Sequence, residues 1–206
     1  LMRLSADDGN FEVFELEAQV CEFTRTTRKA RWVQNPVSDL KAVLARVTKL
    51  LSRIELPDYC HGATPGRSYR SNAQAHVGAR SVATFDLKDF FPSTTSKQVF
   101  RFFHKDLQCA PDVAGLLTDL CTYKRALPTG APSSPILAYW ANRDLFETVD
   151  QRGKALQLKL SVYIDDITLS GDVIPRSLSE QVEGIVKSHG HKLSGHKTKV
   201  FGPGRP

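Results

Sequence analysis

The order of secondary-structure signals predicts an α+β fold, an antiparallel sheet backed by helices. Three observations carry that expectation. A β-prone run over residues 79–86 ends on an aspartate. Two further β-prone runs over residues 160–170 flank the adjacent pair Asp165-Asp166 and read as a hairpin with the carboxylates in or beside its tight turn. Between and after these strands lie apolar residues at helical spacing, so the order strand, helices, hairpin, helix, strand places helices on one face of a sheet.

The 206 residues suffice for one large domain, or two intertwined lobes, with a proper core. A hydrophobic content of 41% with 24% charged residues fits a soluble globular protein, and the net charge of +6 favours a polyanionic partner. Cys21, Cys60, Cys109 and Cys121 form no C-x-x-C pair, which argues against a zinc module and for free thiols in a reducing compartment. No apolar run reaches membrane-spanning length and no signal-peptide pattern opens the sequence, so the expectation is a cytoplasmic protein with no membrane partner.

Taken in order, residues 11–16 alternate as a strand. Residues 24–33 carry Arg25, Arg28, Lys29 and Arg31 between β-prone flanks and read as a hairpin with a cationic tip. Asn35-Pro36 gives a cap and a first-turn proline for a helix whose apolar face is Leu40, Val43, Leu44, Val47, Leu50 and Leu51. Residues 55–80, punctuated by glycine and proline and bearing His61, Arg67, Arg70, Asn72 and His76, are long for an irregular stretch and read as functional or as hiding a short helix. After the strand ending at Asp86, Ser96 is placed to cap a helix with Val99, Phe100, Phe103 and Leu107 on its apolar face. A second helix follows with Val113, Leu116, Leu117, Leu120 and Cys121. The small-residue loop 127–135 then opens one long helix through Ile136, Leu137, Trp140, Leu145, Phe146 and Val149. Beyond the aspartate hairpin come a helix near residues 178–189 and a basic segment, 190–200.

An isolated Asp-Asp pair is often only a solvated turn. The alternative is a divalent-cation site, because hard cations take several carboxylate oxygens on a rigid element. Asp86, at another strand end, supplies the third carboxylate that favours this alternative. If the strands pair, Asp86 and Asp165 can bridge two Mg²⁺ ions about 3.5–4 Å apart, a geometry suited to in-line phosphoryl transfer. The basic run at Arg28, Lys29 and Arg31, and Lys197, are candidates to neutralise a triphosphate, and Thr129-Gly130-Ala131 would let backbone approach a nucleotide.

With these residues assembled, the sequence resembles the reverse transcriptases, and within them the bacterial retron-type enzymes. Residues 85–93, with Asp86, Asp89, Phe90 and Phe91, are similar to the first catalytic palm motif. Residues 127–135 resemble the nucleotide- and template-positioning motif. Tyr163-Ile164-Asp165-Asp166 resembles the Tyr-x-Asp-Asp motif, and residues 196–199 the lysine-bearing segment after it. Arg31-Trp32-Val33 falls where the fingers hold a triphosphate-binding arginine. Asn72-Ala73-Gln74-Ala75-His76, after Gly66-Arg67-Ser68, matches the Asn-Ala-x-x-His signature of retron enzymes.

The resemblance implies a right-hand polymerase palm, with residues 1–80 as fingers, 81–206 as palm and the thumb absent from this chain. It implies Asp86, Asp165 and Asp166, with the Leu87 carbonyl, as ligands of two Mg²⁺ ions, Mn²⁺ being an alternative. Lys197 would meet the departing pyrophosphate. Arg28, Lys29, Arg31, Asp89, Phe90, Phe91, Thr129 and Gly130 would line the nucleotide site, Phe91 blocking a ribose 2′-hydroxyl. Arg67, Asn72, His76 and Tyr163 would contact nucleic acid. The implied partners are dNTPs, a structured non-coding RNA serving as template and primer, its cDNA, and an effector protein in antiphage defence or a thumb-bearing partner.

Two positions depart from the family pattern. Thr129 stands where glutamine is usual, and the sequence closes at residue 206 where a thumb would follow, so the chain alone is expected to be weakly active. Three alternatives stay open: another bacterial reverse transcriptase (group II intron, CRISPR-adaptation or abortive-infection type), an RNA-dependent RNA polymerase, and a catalytically weak palm kept as a nucleic-acid-binding scaffold.

Overall fold

The computed structural model describes residues 8–17, 19–21, 26–28, 31–195 and 198–202. The first strand, β1 (Phe11–Leu16), is followed by a short hairpin of β2 (Gln19–Cys21) and β3 (Thr26–Arg28), and then by β4 (Arg31–Pro36). β1 pairs antiparallel with β4, from Phe11 opposite Pro36 to Leu16 opposite Arg31, while β3 pairs back onto β2. The basic run over residues 28–31 is therefore not the tip of one hairpin. Arg28 ends β3 and Arg31 opens β4, and these strands belong to different two-stranded ribbons, β3 pairing with β2 and β4 with β1.

Helix α1 (Ser38–Leu51) starts later than expected. Asn35 and Pro36 are the last ladder residues of β4, and Val37 occupies the cap position with extended backbone. A terminal edge position tolerates proline, which has no N–H to give. Leu40, Leu44 and Leu51 are buried, Val43 and Val47 pack against them, and Leu50 is exposed. The irregular stretch does hide a helix, α2 (Tyr69–Gln74), closed by a capping box between Ser68 and Ser71.

Strand β5 (Ser81–Asp86) leads through a left-handed Asp89 into the single turn α3 (Phe90–Ser93). Next comes α4 (Ser96–Arg101), capped by Thr95 in place of Ser96: the Thr95 hydroxyl accepts from the Gln98 N–H and the Gln98 amide oxygen accepts from the Thr95 N–H. The expected helix then widens into a π-turn over Phe102–Asp106, burying both Phe102 and Phe103 and leaving Leu107 exposed. In α5 (Pro111–Cys121) the buried face is Ala114, Thr118, Leu120 and Cys121, with Val113 and Leu116 outside.

The long helix expected from Ile136 to Val149 is two, α6 (Ser134–Ala141) and α7 (Arg143–Ala155), broken at Asn142. The buried Asn142 side chain donates to the Ala138 carbonyl and the Thr94 hydroxyl and accepts from Gln98 and His191. A side-chain amide bonding its own helix's backbone competes with the helical ladder, and here it tethers four segments at the break.

The hairpin follows, β6 (Lys159–Tyr163) and β7 (Asp166–Gly171), then α8 (Leu178–Ser188) and β8 (Lys199–Phe201). These strands complete an antiparallel sheet in the order β6-β7-β5-β8. One face, built from Ala83, Phe85, Leu160, Val162, Ile167 and Leu169, is fully buried in the core with Leu137, Leu145, Phe146, Val149, Val182 and Val186 from the helices behind. The opposite face is not wholly bare, since the segment bearing α2 packs along β6. Cys60, Cys109 and Cys121 are free thiols, and among the described residues no helix is long and apolar enough to cross a membrane.

Replacing Asn142 by Ala should strand buried partners on Thr94, Gln98 and His191. Urea unfolding is expected to show a loss of about 2–3 kcal/mol, against less than about 0.5 kcal/mol for an exposed control such as Lys97→Ala.

Candidate active site

β5 and β7 pair so that Asp86 lies directly opposite Asp166, and β6 places Tyr163 opposite Asp166 on its other side. Residues facing each other across an antiparallel ladder project to the same face with Cα atoms about 4.5–5.5 Å apart. Asp86, Asp166 and the half-buried Tyr163 therefore share one face, the face that also carries Thr84, Thr168, Ser161 and Ser170. Asp86 is buried, 6% exposed, while Asp166 is exposed.

Asp165 sits in the two-residue turn between β6 and β7. Its carbonyl accepts from the Leu87 N–H at 2.9 Å, tying the turn to the end of β5. On the other edge, Ser194 N–H donates to the Asp86 carbonyl and Lys88 N–H to the Lys192 carbonyl, so the chain after α8 fixes the strand end from behind.

The turn is strained. Ile164 has φ of 61°, a left-handed conformation that a β-branched side chain rarely adopts and that costs about 1–2 kcal/mol. A two-residue hairpin with positive φ only at its first central position usually has glycine there. The turn is held from outside by residues 59–62, which run along the free edge of β6. Val162 N–H donates to the Tyr59 carbonyl, and the His61 and Gly62 N–H groups donate to the Val162 carbonyl at 2.8 and 3.4 Å. Gly62 lies so close that a Cβ there would sit 2.5 Å from the Ile164 nitrogen. Sequence reasoning marked Gly62 only as loop punctuation. Its packing against the aspartate turn depends on a contact about a hundred residues away, of which the sequence gives no local sign.

The residues expected to contact nucleic acid divide. Arg67 is turned inward, donating to the Cys60 carbonyl at 2.8 Å and pairing with Asp58 at 2.9 Å, so its guanidinium staples its own loop. Asn72 lies in α2, its side-chain oxygen buried without a hydrogen-bond partner among the described residues. The two ring nitrogens of His76 are both engaged, with Ser170 and Ser161, each at 2.6 Å. Burial holds this imidazole down, at about 4, with Lys159 and His61 adding to the effect. His61, bonded to Ser71, is also lowered, by burial and then by Arg67 and Lys159; His191 is lowered by burial and then by His189.

Among the expected nucleotide-site residues, Phe90 is corrected. It is 3% exposed, with its ring against Phe146 and His191, and belongs to the core. Phe91, beside it on α3, is half-buried, and Asp89 is exposed. The Gly130 N–H donates to the Gln34 carbonyl, and a Cβ would lie 2.6 Å from that oxygen, so the glycine permits a close approach to β4. Gln34 also accepts the Thr129 N–H through its side-chain oxygen at 3.0 Å, locking loop 127–135 to the β1–β4 ribbon. Arg28 and Arg31 are placed by backbone in β3 and β4. Lys29 and Lys197 lie outside the described residues.

Among the described residues no three His, Cys, Asp or Glu side chains form a cluster that would hold a metal ion by themselves. The donor set still fits a hard cation: carboxylates of Asp86 and Asp166 on one face, and Asp165 in the turn tied to Leu87 at the end of β5. Mg²⁺ characteristically takes one or two carboxylates and completes its shell with substrate phosphates and water.

Carboxylates at the ends of adjacent strands of an antiparallel sheet, with helices behind, form a palm-like arrangement. Residues 24–204 match the family described as Reverse transcriptase (RNA-dependent DNA polymerase), and the chain belongs to that family. It is similar to Retron Ec86 reverse transcriptase of Escherichia coli, at 32% identity over 95% of this chain and 60% of that protein. It is also 32% identical to Retron Se72 reverse transcriptase of Salmonella heidelberg over 86% of this chain and 48% of that protein, and 30% identical to Retron Mx162 reverse transcriptase of Myxococcus xanthus over 82% and 41%. The chain thus spans about half the length of these curated relatives.

Gly62→Ala should overpack the turn and lower stability in urea by about 1–3 kcal/mol, because the atom it meets is backbone. Stability should also fall with acid. The unfolded chain takes up the His76 proton near 6.5 and the folded chain only near 4, so unfolding binds a proton between those values and stability drops as pH falls through that window. A Tm series from pH 7 to 5 should show this decline, and His76→Gln should flatten it.

Proposed function

We propose that this chain is the fingers and palm of a retron-type RNA-directed DNA polymerase, with residues 1–80 as fingers and 81–206 as palm. It adds dNTPs to a primer hydroxyl on an RNA template. The observation that carries the reading is the β5·β7 register, which sets Asp86 opposite Asp166 beside the Asp165 turn; family membership and the similarity to retron reverse transcriptases support it.

In this reading Asp86, Asp165, Asp166 and the Leu87 carbonyl hold two Mg²⁺ ions. When bound, these would activate the primer hydroxyl and neutralise the triphosphate. The protein's own residues orient. The Leu87–Asp165 hydrogen bond fixes the turn against the strand end, and the Gln34–Thr129 and Gln34–Gly130 contacts hold the positioning loop against the β4 strand that bears Arg31. Arg28, Lys29 and Arg31 bind the triphosphate, Lys197 meets the pyrophosphate, and Phe91 crowds the ribose 2′ position. The partners are a structured non-coding RNA as template and primer source, its cDNA, and an effector protein in a bacterial cytoplasmic antiphage system. The remaining length of such a protein would supply the duplex grip.

Primer extension on an RNA template with Mg²⁺ by the full-length protein tests the reading. Asp86→Asn and Asp165→Asn should each lower dNTP incorporation by more than about 10³-fold, and Phe91→Ala should raise rNTP use relative to dNTP. Equal incorporation by wild type and Asp165→Asn would overturn it in favour of a non-catalytic scaffold, and a wild-type preference for rNTP would point to an RNA polymerase.

A further inference from the structure

His76 lies on the face of the sheet that carries Asp86 and Asp166. Its Nε2 bonds Ser161 on β6 and its Nδ1 bonds Ser170 on β7. Ser170 pairs with Lys159 and Ser161 with Thr168, so the two serines are diagonal neighbours on one face, Ser161 two residues before the end of β6 at Tyr163 and Ser170 four after the start of β7 at Asp166. That is about 7 and about 13 Å of strand. Both hydroxyls are buried, Ser161 at 0% and Ser170 at 3% exposure. The imidazole therefore spans the hairpin from one strand to the other, on the face that carries Asp86 and Asp166.

Such a bridge has a specific task here. Alternation between apolar and polar faces prevents a one-residue slip of β6 against β7, because that would turn Asp166 to the core side. It does not prevent a two-residue slip. Leu160, Val162, Ile167 and Leu169 are similar in bulk, so the apolar face would still be satisfied, while the carboxylate would move by about 7 Å. A ring of fixed width joined to one diagonal pair opposes that shear. The strained Ile164 turn makes the opposition necessary, since a turn in an unfavourable conformation persists only where its surroundings over-determine it.

We infer that His76 is a positioning residue for nucleotide addition: by bridging Ser161 and Ser170 it locks the register of the catalytic hairpin and so sets where Asp165 and Asp166 stand relative to Asp86. The inference deepens the polymerase reading and rests on it. The histidine of the Asn72-Ala73-Gln74-Ala75-His76 pattern then acts through the palm sheet, by way of Ser161 and Ser170.

The test uses the full-length protein and its His76→Ala, His76→Gln, His76→Asn and Ser161→Ala/Ser170→Ala variants, with far-UV circular dichroism as the fold control. Two readouts are taken: hydrogen–deuterium exchange of the residue 159–171 amides without nucleic acid, and kcat against KM for dNTP. His76→Ala should speed exchange in β6 and β7 and lower kcat by about 10- to 100-fold, as a misplaced reacting group does, with KM for dNTP changed less than about threefold. The double serine variant should reproduce the effect, and adding His76→Ala to it should cost nothing further. Gln and Asn, which place an amide nitrogen or oxygen near one ring nitrogen only, should recover part of kcat. Unchanged exchange with unchanged kcat, or a loss confined to KM for primer–template, would overturn the inference. If wild type incorporates no dNTP the polymerase reading fails, and the exchange arm still decides the bridge. If His76→Ala does not fold, the single Ser170→Ala variant carries the same two readouts.

Discussion

Two carboxylates facing each other across a β-ladder repel, and nothing in the backbone favours holding them there. The pairing of Asp86 with Asp166 is set by the whole length of β5 against β7, from Ser81 opposite Gly171 onward, so the register of six residue pairs is decided by the core and not by the acids. The apolar face of Ala83, Phe85, Ile167 and Leu169 is buried almost completely, and burial of that size outweighs the repulsion between the buried Asp86 and the exposed Asp166. A cation between the acids would remove the repulsion altogether. The site is thus a local disadvantage carried by a strong sheet.

The surrounding elements follow from that constraint. Residues 59–62 cover the free edge of β6, Gly62 seats the Ile164 turn, and His76 spans the two strands behind it. Residues 192–194 bind the other edge of β5 on both sides of Leu87. The catalytic strand ends are held from three directions by loops far apart in sequence. Asn142 plays the equivalent part among the helices, joining the chain after α3 to the break between α6 and α7 and to His191.

What the sequence disclosed, it disclosed through patterns local to one element. Alternation placed β5, β6 and β7 with the aspartates at their ends, and the chain order of the motifs pointed to the family. The errors fall where distant segments decide. Asn35-Pro36 reads as a helix cap until β1 arrives to pair with it. The helix through Ile136 and Val149 reads as continuous because nothing in its periodicity shows that Asn142 bonds to Thr94 and His191. Phe90 is core, packed on Phe146, while Phe91 beside it stays half-buried. The sequence gives no sign that Gly130 lies against the Gln34 carbonyl, nearly a hundred residues earlier. Ser161 and Ser170 gave no signal beyond being polar residues in a strand, and their meaning appears only when His76 is folded onto them.

The central claim is that Asp86, Asp165 and Asp166 gather around metal at the end of the β5–β7 ladder. The most direct measurement is anomalous diffraction from crystals of the protein bound to primer–template, dNTP and Mn²⁺. The account predicts two manganese peaks about 3.5–4 Å apart between Asp86 and the Asp165–Asp166 turn. Bound dNTP with manganese absent from that position, or coordinated elsewhere on the protein, would contradict it.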